Sequence, residues 1–400
     1  MKPSIFDNPF AAARATLAAS FFVLLALNGC AQQVAAPQKP YSFWPPFPQE
    51  PRILFLASYS ANTDIEPPKT KLDEIIYGKD PQSQVLISSP YGIAMWKGRI
   101  YVCDTKNPAV EILDLRKHEM QLMSPGEAGK LIKPVAIVIA PDGTKYVADI
   151  QLGAIAVFDD SDHFVRQIGH ENFSPAALAV HGNELYVTDY KANHVEVFDR
   201  FGGQSLRTIG SLGVKPGQMV GPLGIATDDQ GNVYVDDIIN CRVQKFTPEG
   251  KLLGAFGSLG DHPGTFTRPK HIAVDHDGVI YVVDAAFQNV QMFDSQFRPL
   301  LFFGNPGAYP GSMDLPAGIC LHDGDLDLFA DRIPDAFQAQ YLVLVTNNQA
   351  SNHKVSVYAF GHLKPGRTIN DIAGSKGVVS EGTTTQPATG VGAPLPDQQQ

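Results

Sequence analysis

A short hydrophobic strand that ends in aspartate, followed by a turn and an alternating strand, recurs along most of the chain. The clearest copy is Tyr281–Asp284 (YVVD) with Asn289–Asp294 (NVQMFD) after it. Alternation with a period of two predicts half-buried β-strands, so each copy predicts a pair of antiparallel strands. Four further copies open at Tyr101, Tyr146, Tyr186 and Tyr234. A degenerate last copy, Leu344–Asn347, ends in Asn instead of Asp.

The spacing of these copies predicts the architecture. The five tyrosines lie 45, 40, 48 and 47 residues apart. A period of roughly 40 to 50 residues made of short strands is typical of a β-propeller. One blade cannot bury both faces of its sheet, whereas blades arranged around an axis bury them against each other. The sequence therefore predicts an all-β, six-bladed propeller of four-stranded antiparallel blades.

Four strands, named a to d from the axis outward, are expected in each blade. The YVxD units are the b strands, the alternating runs after them are the c strands, and the d strands end in apolar–Gly pairs such as Phe303-Gly304. Short apolar segments before each b strand are the a strands, since six sheets must converge on a narrow axis. These segments are Tyr91–Met95, Val135–Ile139, Ala176–Val180, Leu223–Thr227, His271–Val274 and Ala317–Leu321.

The ends of the repeat array predict how the ring closes. The sixth a–b–c set has no d strand after it, and residues 52–57 have no a–b–c set before them. We therefore expect residues 52–57 to form the outer strand of the last blade, which removes an open sheet edge. An insertion, Phe329–Gln340, is expected between the a and b strands of that blade, on the face that carries the a–b turns.

The N-terminal region predicts export. The apolar segment Ala15–Leu27 is too short to span a bilayer comfortably and is typical of an export signal. It ends in LNGC, which resembles a bacterial lipobox, although Asn28 departs from the usual small residue. That resemblance implies that Cys30 is lipidated and anchors the protein to a membrane. An ordinary secretory signal with an incidental cysteine is the alternative.

The chain divides into four predicted segments: signal peptide 1–29, Pro-rich tether 30–50, propeller 51–361 and disordered tail 362–400. The predicted location is the bacterial cell envelope through the lipid anchor. Ala31 after the lipobox favours the outer membrane, facing the periplasm or the cell surface. The tether aromatics are expected to pack on the propeller wall, with a partner-binding patch as the alternative: Tyr41, Phe43, Trp44 and Phe47.

Composition and cysteine usage narrow the function classes. The net charge is −10, which argues against a nucleic-acid partner, because phosphates require basic surfaces. No cysteine lies in CxxC or haem-attachment spacing. Cys103 and Cys320 fall in predicted strands of the first and last blades. We expect them to be buried free thiols, with a disulfide between them as the alternative.

The repeated pattern GIA–DGxxYVxDxxNxxVxxFD resembles the NHL repeat, a family of six-bladed propellers. The likeness covers about residues 52–361, and residues 223–247 and 271–294 are the closest copies. The resemblance implies the fold. It does not imply one activity, because the family includes scaffolds, ligand-binding modules, lyases and lactonase-like hydrolases.

A ring of aspartates ends the b strands, on the face that carries the d–a and b–c loops. Because the residue recurs in every blade, each side chain is expected to accept hydrogen bonds from the turn after it. The alternative is a cation site at the channel mouth that would hold Ca or Zn. Apart from such a cation, no cofactor is predicted. The ring comprises Asp104, Asp149, Asp189, Asp237, Asp284 and Asn347. The candidate ligands of the alternative cation site are Asp149, Asp189, Asp237, Asp284 and His271.

Blade five carries the candidate ligand-binding residues. Arg268, Lys270 and His271 stand where the sibling blades have Pro-apolar or Pro-Gly-like entries. A histidine at the start of an inner strand is expected near the axis as a solvated channel-lining group, with a metal-ligand or acid–base role as the alternative. Residues after the ring aspartates are expected to line the same mouth and to bind an anionic or mixed ligand: Tyr190, Lys191, Arg242 and Phe287.

Two functions are consistent with this sequence. The favoured hypothesis is a non-enzymatic, monomeric, lipid-anchored propeller that binds or scaffolds a protein or small ligand, with an envelope protein as partner. The alternative is a cation-dependent hydrolase or lyase, as in the gluconolactonase-like and amidating-lyase propellers that this pattern resembles. Such enzymes use carboxylates or several histidines at the inner strands, where this chain has His271 alone. The chain contains no GxSxG, HExxH or phosphate-loop motif.

Overall fold

The computed structural model describes residues 41–67, 85–123 and 129–373. Within them the strands form six antiparallel sheets arranged as blades around an axis, which confirms the predicted fold class. Two strands precede the first blade, namely β1 (Phe43–Trp44) and β2 (Ile53–Tyr59). Blade one consists of β3 (Pro90–Trp96), β4 (Arg99–Asp104), β5 (Ala109–Asp114) and β6 (Glu119–Met123).

The next four blades repeat this plan. Blade two is β7 (Pro134–Ile139), β8 (Lys145–Asp149), β9 (Ala154–Phe158) and β10 (Phe164–Ile168). Blade three is β11 (Pro175–His181), β12 (Glu184–Asp189), β13 (His194–Asp199) and β14 (Ser205–Ile209). Blade four is β15 (Pro222–Thr227), β16 (Val233–Asp237), β17 (Arg242–Phe246) and β18 (Leu252–Phe256). Blade five is β19 (Pro269–Val274), β20 (Ile280–Asp284), β21 (Asn289–Phe293) and β22 (Pro299–Gly304).

The last blade joins the two ends of the array. Its strands β23 (Pro316–His322), β24 (Phe337–Asn347) and β25 (Val355–Leu363) are completed by β2, which pairs antiparallel with β25 from Ile53↔Phe360 to Tyr59↔Val355. The predicted closure by residues 52–57 is therefore confirmed, and the strand extends two residues further. The strand β1 adds a fifth strand beyond β2.

The tether aromatics pack against this closing blade, as expected. Phe43 and Trp44 are buried, and the Trp44 ring lies 5.9 Å from that of Tyr358 in an edge-on arrangement. The folded structure therefore begins before residue 51, the predicted start of the propeller, because β1 pairs with β2 through Phe43↔Leu54.

Two predicted boundaries need correction at the other end. The insertion Phe329–Gln340 is part helix and part strand: a 3-10 helix covers Leu326–Arg332, and β24 begins at Phe337. The predicted disordered tail starts too early at residue 362, because β25 continues to Leu363 and a short helix α1 covers Ile369–Ala373. Ile372 is fully buried, which explains why this segment is ordered. Residues 374–400 lie outside the described residues.

Inner strands must be small because neighbouring blades approach closely at the axis. A Cβ at Gly92 of blade one would lie 2.6 Å from the Cα of Ala136 in blade two. A Cβ at Gly224 of blade four would lie 2.7 Å from the Cα of His271 in blade five. Any larger side chain at these glycines would push the blades apart.

The cysteines within the described part of the chain are free. Cys103 is buried in the core between blades one and two, and Cys320 packs against a different core that includes the last blade. The free-thiol expectation is therefore confirmed for these two residues. Cys30 and the predicted signal peptide lie outside the described residues. Among the helices that are described, none combines the length and apolar character needed to cross a membrane.

Candidate functional site

A cavity of about 320 Å³ opens at the axis, on the face that carries the d–a and b–c loops. Its volume is at the lower end of the range for small-molecule sites, so it suits a small ligand. The residues that line it come from most of the blades and are Ser89, Tyr91, Thr105, Lys133, Val135, Ile150, Ala176, Leu223, Lys270 and Asn348.

Proline sets which residues form the wall. All six inner strands begin with proline, and each of these prolines pairs with the ring residue at the end of its b strand. The residue directly after the proline lines the cavity in five blades: Tyr91, Val135, Ala176, Leu223 and Lys270. In blade five this shared position holds a lysine, whereas three of the other four have aliphatic side chains.

Lys270 is an unpaired cation in this wall. It is half-buried, and its Nζ lies 5.3 Å from the centre of the Tyr91 ring. Within the described residues, no carboxylate forms an ion pair with it. Burial, together with the nearby positive charge of Arg268, lowers the pKa of Lys270 to about 8. The amine therefore loses its proton far more easily than an exposed lysine.

Tyr91 lies across the channel. It belongs to blade one, but it packs against the core formed by blades two to four and lies beside Lys270 of blade five. Burial raises the pKa of Tyr91 to about 12; Asp236 and Tyr190 add to this effect and Arg268 opposes it. The phenol is therefore neutral over the physiological pH range.

The rim of the cavity is polar and held in place by hydrogen bonds. Thr105 Oγ1 donates to the Ser89 carbonyl at 3.0 Å, and Asn348 Nδ2 donates to Ser89 Oγ at 2.9 Å. Lys133 is exposed at this rim. Among the described lining residues there are two lysines and no carboxylate, so the cavity favours an anion.

The ring aspartates cap turns, which is the structural role expected from the sequence. Asp284 is buried and accepts hydrogen bonds from the backbone N–H groups of Thr267 (2.8 Å), Ala286 (2.9 Å), Arg268 and Phe287 (3.1 and 3.2 Å). N–H donors likewise reach both carboxyl oxygens of Asp104, Asp149 and Asp237, and Oδ1 of Asp189. Over the described part of the chain, no group of three potential ligand side chains is placed to hold a metal ion.

His271 does not lie in the channel, contrary to the sequence-based expectation. Lys270, not His271, follows the proline, and successive strand residues point in opposite directions, so an alignment shifted by one residue misplaces the side chain. The His271 backbone instead packs against Gly224 of blade four, where a Cβ would lie 2.7 Å from the His271 Cα. Burial lowers its pKa to about 4, and its Nδ1 has no hydrogen-bond partner among the described residues.

The remaining predicted residues lie outside the cavity wall. Arg242 is held by Asp237 at 2.8 Å and by the carbonyls of Lys215 and Gln218, so it clamps a loop. Tyr190 lies beside Gly221 at the rim, and Arg268, Lys191 and Phe287 also lie on this face outside the lining. Of the seven predicted residues, Lys270 alone lines the cavity.

Several lining residues were missed by the sequence analysis. Thr105, Ile150 and Asn348 each directly follow a ring residue, the same region from which candidates were predicted in other blades. Tyr91 was treated as one more inner-strand residue. Its position after proline was a usable signal, whereas its path across the channel depends on the packing of distant blades.

No model of a known protein family matches the chain. A structural-genomics protein from Bacteroides thetaiotaomicron has 18% sequence identity and a TM-score of 0.54, with 76% of this chain and 75% of that chain covered. A gluconolactonase from Xanthomonas campestris has 14% identity and a TM-score of 0.49 over 82% and 99% of the two chains. Virginiamycin B lyase from Staphylococcus aureus has 14% identity and a TM-score of 0.47 over 68% and 95%. The first of these likenesses shows the fold alone.

Proposed function

We propose that this propeller is a binding module that takes a small anionic ligand, a carboxylate or a phosphate, in the axial cavity. The observation that carries the proposal is Lys270, a half-buried ammonium group without an acidic partner among the described residues. A charge removed from water without a partner is costly, so an anion that pairs with it gains affinity from relieving that cost.

The other lining residues suit this ligand class. Lys133 adds a second positive charge, and the hydroxyl groups of Ser89 and Thr105 can donate or accept hydrogen bonds. Val135 and Leu223 supply an apolar wall for a short carbon skeleton. A small number of polar groups in a mainly apolar wall is the usual composition of a selective ligand site.

Binding is favoured over the cation-dependent hydrolase or lyase for a chemical reason. That activity needs free carboxylates or histidines at the axis to hold the ion. In the described structure the ring aspartates accept hydrogen bonds from N–H groups, as Asp284 does, and His271 is not among the residues that line the cavity. Ammonium groups, as at Lys133 and Lys270, repel a divalent cation.

The cellular setting is also part of the proposal. The repeat pattern supports a place among NHL-type propellers, and the lipobox-like segment that ends at Cys30 supports a lipid anchor in the bacterial cell envelope. An envelope protein that presents an acidic side chain or a terminal carboxylate would suit the same cavity. The proposed working unit is one propeller.

Substitution of Lys270 by methionine is expected to weaken binding of inorganic phosphate and small carboxylates by about 10- to 100-fold. A hydrogen bond to a charged group contributes about 1.5–3 kcal/mol, and methionine keeps most of the side-chain volume. Affinity should also fall as the pH rises through about 8, because Lys270 then loses its proton. Isothermal titration calorimetry checks both effects. Lys251→Met, which removes an exposed lysine from blade four, is the matched control, and equal affinities in the two variants would contradict the assignment.

Lipidation has its own test. Cys30→Ser is expected to abolish incorporation of labelled palmitate and to move the protein from the membrane fraction to the soluble fraction of cells. Cys241→Ser is the control, since Cys241 is a free thiol within the propeller and should leave labelling unchanged. Undiminished labelling of the Cys30→Ser variant would rule out this anchor site.

A further inference from the structure

We propose that Lys270 is a reactive amine that forms an imine with the carbonyl carbon of a small oxo acid, while Lys133 holds the carboxylate of that acid. The inference rests on the proposed function, because it assigns the class of the anionic ligand. An oxo acid carries both a negative charge and an electrophilic carbon, and the cavity offers a cation and a separate, unpaired amine to match them.

The surroundings of Lys270 raise the fraction of its amine that is neutral and nucleophilic. Aliphatic residues line the wall around it, and the charged or titratable groups that face it are Tyr91, Lys133 and Arg268. None of these is an acid that would hold the proton on Nζ. Desolvation and a neighbouring cation are the two devices that activate lysine nucleophiles, and both lower the pKa of Lys270, to about 8.

Other buried lysines in the described structure have partners that restrain them. Lys145 Nζ is 2.7 Å from Asp162, and Lys245 Nζ is 3.1 Å from Asp228. Lys354 Nζ donates to the backbone carbonyls of Ser88 and Asn348 at 2.7 and 3.0 Å. Lys270 differs because its Nζ has the ring of Tyr91 as its neighbour and, among the described residues, no such acceptor.

The covalent step needs no reagent beyond the ligand. The lone pair of neutral Nζ forms a bond to the carbonyl carbon, and the electron pair of the C=O π bond moves to oxygen, which takes up a proton. That proton is one of the two on Nζ; the nitrogen lone pair then expels the hydroxyl group, which takes the second Nζ proton and leaves as water, so that one amine and one carbonyl give one imine and one water. The Tyr91 ring face is placed to stabilise the protonated imine, because aromatic faces attract cations.

Reductive trapping tests this chemistry on the full chain. Pyruvate with sodium cyanoborohydride at pH 7 converts the imine into a stable secondary amine, which peptide mass mapping locates. At this pH the neutral fraction of Lys270 exceeds that of an ordinary lysine on the order of a hundredfold, so we expect Lys270 to react at least about tenfold faster than any exposed lysine. Its labelling should rise between pH 6 and 8 and then level off.

Matched variants identify the two amines. Lys270→Arg keeps the charge and should abolish the fast adduct, whereas Lys251→Arg should leave it unchanged. Lys133→Ala should slow trapping of pyruvate about tenfold but should leave trapping of uncharged acetaldehyde within about twofold, since only pyruvate offers a carboxylate to that cation. Uniform labelling of the lysines, or a fast adduct that survives Lys270→Arg, would overturn the assignment.

Lactate separates this inference from the proposed function, because it has the carboxylate but no carbonyl carbon to react. If lactate and phosphate bind with dependence on Lys270 but pyruvate gives no fast adduct, the imine is wrong and the anion site stands. If neither anion binds and pyruvate gives no fast adduct, both proposals fail.

Discussion

Replacing Leu54 with alanine is expected to lower the free energy of unfolding by about 2–5 kcal/mol, the cost of removing a buried leucine side chain. Leu54 is fully buried in β2, between Phe43 of β1 and Ala359 of β25. It belongs to the core that includes Leu342 and Val357 of the last blade. The loss therefore falls on the contact that joins the two ends of the array. Urea denaturation followed by circular dichroism measures it.

Leu253→Ala supplies the matched control. Leu253 also lies on an outer strand, β18 of blade four, but its side chain is 50% exposed. Its truncation should change the free energy of unfolding by no more than about 0.5 kcal/mol. Similar small losses in both variants would mean that β2 is not an integral strand of the last blade.

Substitutions of the adjacent residues Asp236 and Asp237 are expected to change the free energy of unfolding in opposite directions. Asp236 is fully buried between blades four and five, and neither of its carboxyl oxygens has a hydrogen-bond partner in the described structure. At the same place in blade three, Thr188 accepts from Ala177 N–H and donates to the Leu223 carbonyl at 2.9 and 3.0 Å. Asp236→Val should raise the free energy of unfolding by about 1–3 kcal/mol, because it removes an unsatisfied buried group.

Asp237→Val should instead lower the free energy of unfolding by about 3–5 kcal/mol. Asp237 accepts hydrogen bonds from Val220 N–H at 2.7 Å and from Arg242 at 2.8 Å, and its loss would leave a largely buried guanidinium without its acid. Thermal and urea unfolding of both variants measure whether Asp236→Val is stabilising and Asp237→Val is destabilising. Destabilisation by Asp236→Val as large as that by Asp237→Val would show that Asp236 has a partner.

The pH dependence gives a second measure of Asp236. Burial raises the pKa of its carboxyl well above the ordinary value, and Asp284 and Asp237 add to the shift. The folded protein therefore retains a proton that the unfolded chain releases above about pH 3.9, so this group lowers stability progressively as the pH rises from there. The advantage of Asp236→Val over the natural protein should accordingly grow between pH 4 and pH 7.

The sequence predicted the fold well because its signals are local and repeated. The YVxD strands, the DG turns and the unpaired strand at residues 52–57 each depend on neighbours in the chain, and the YVxD strand recurs in five of the six blades. The predicted end of the folded region was wrong, because a tertiary contact and not the local sequence determines the structure there. Helix α1 follows a polar stretch, and its order depends on burying Ile372 against the last blade.

The site was harder to predict because a shift of one residue along an inner strand changes which side chain faces the cavity. The inner strand HIAV was taken to start level with LGIAT of blade four, which set His271 against Leu223 at the axis, whereas the shared proline sets Lys270 there. The backbone of His271 then lies so close to blade four that a Cβ on Gly224 would be 2.7 Å from the His271 Cα. Neither the crossing of the channel by Tyr91 nor the absence of an acid beside Lys270 follows from local pattern, since both depend on residues from distant blades.

Anomalous diffraction from crystals soaked in sodium bromide would test the central claim most directly, because bromide is an anion that can be located without assumptions about the natural ligand. The account predicts a strong peak inside the axial cavity in contact with Lys270 Nζ, and its loss in crystals of Lys270→Met. Bromide bound at surface sites with the cavity empty, or a cavity peak unchanged in the variant, would contradict the account.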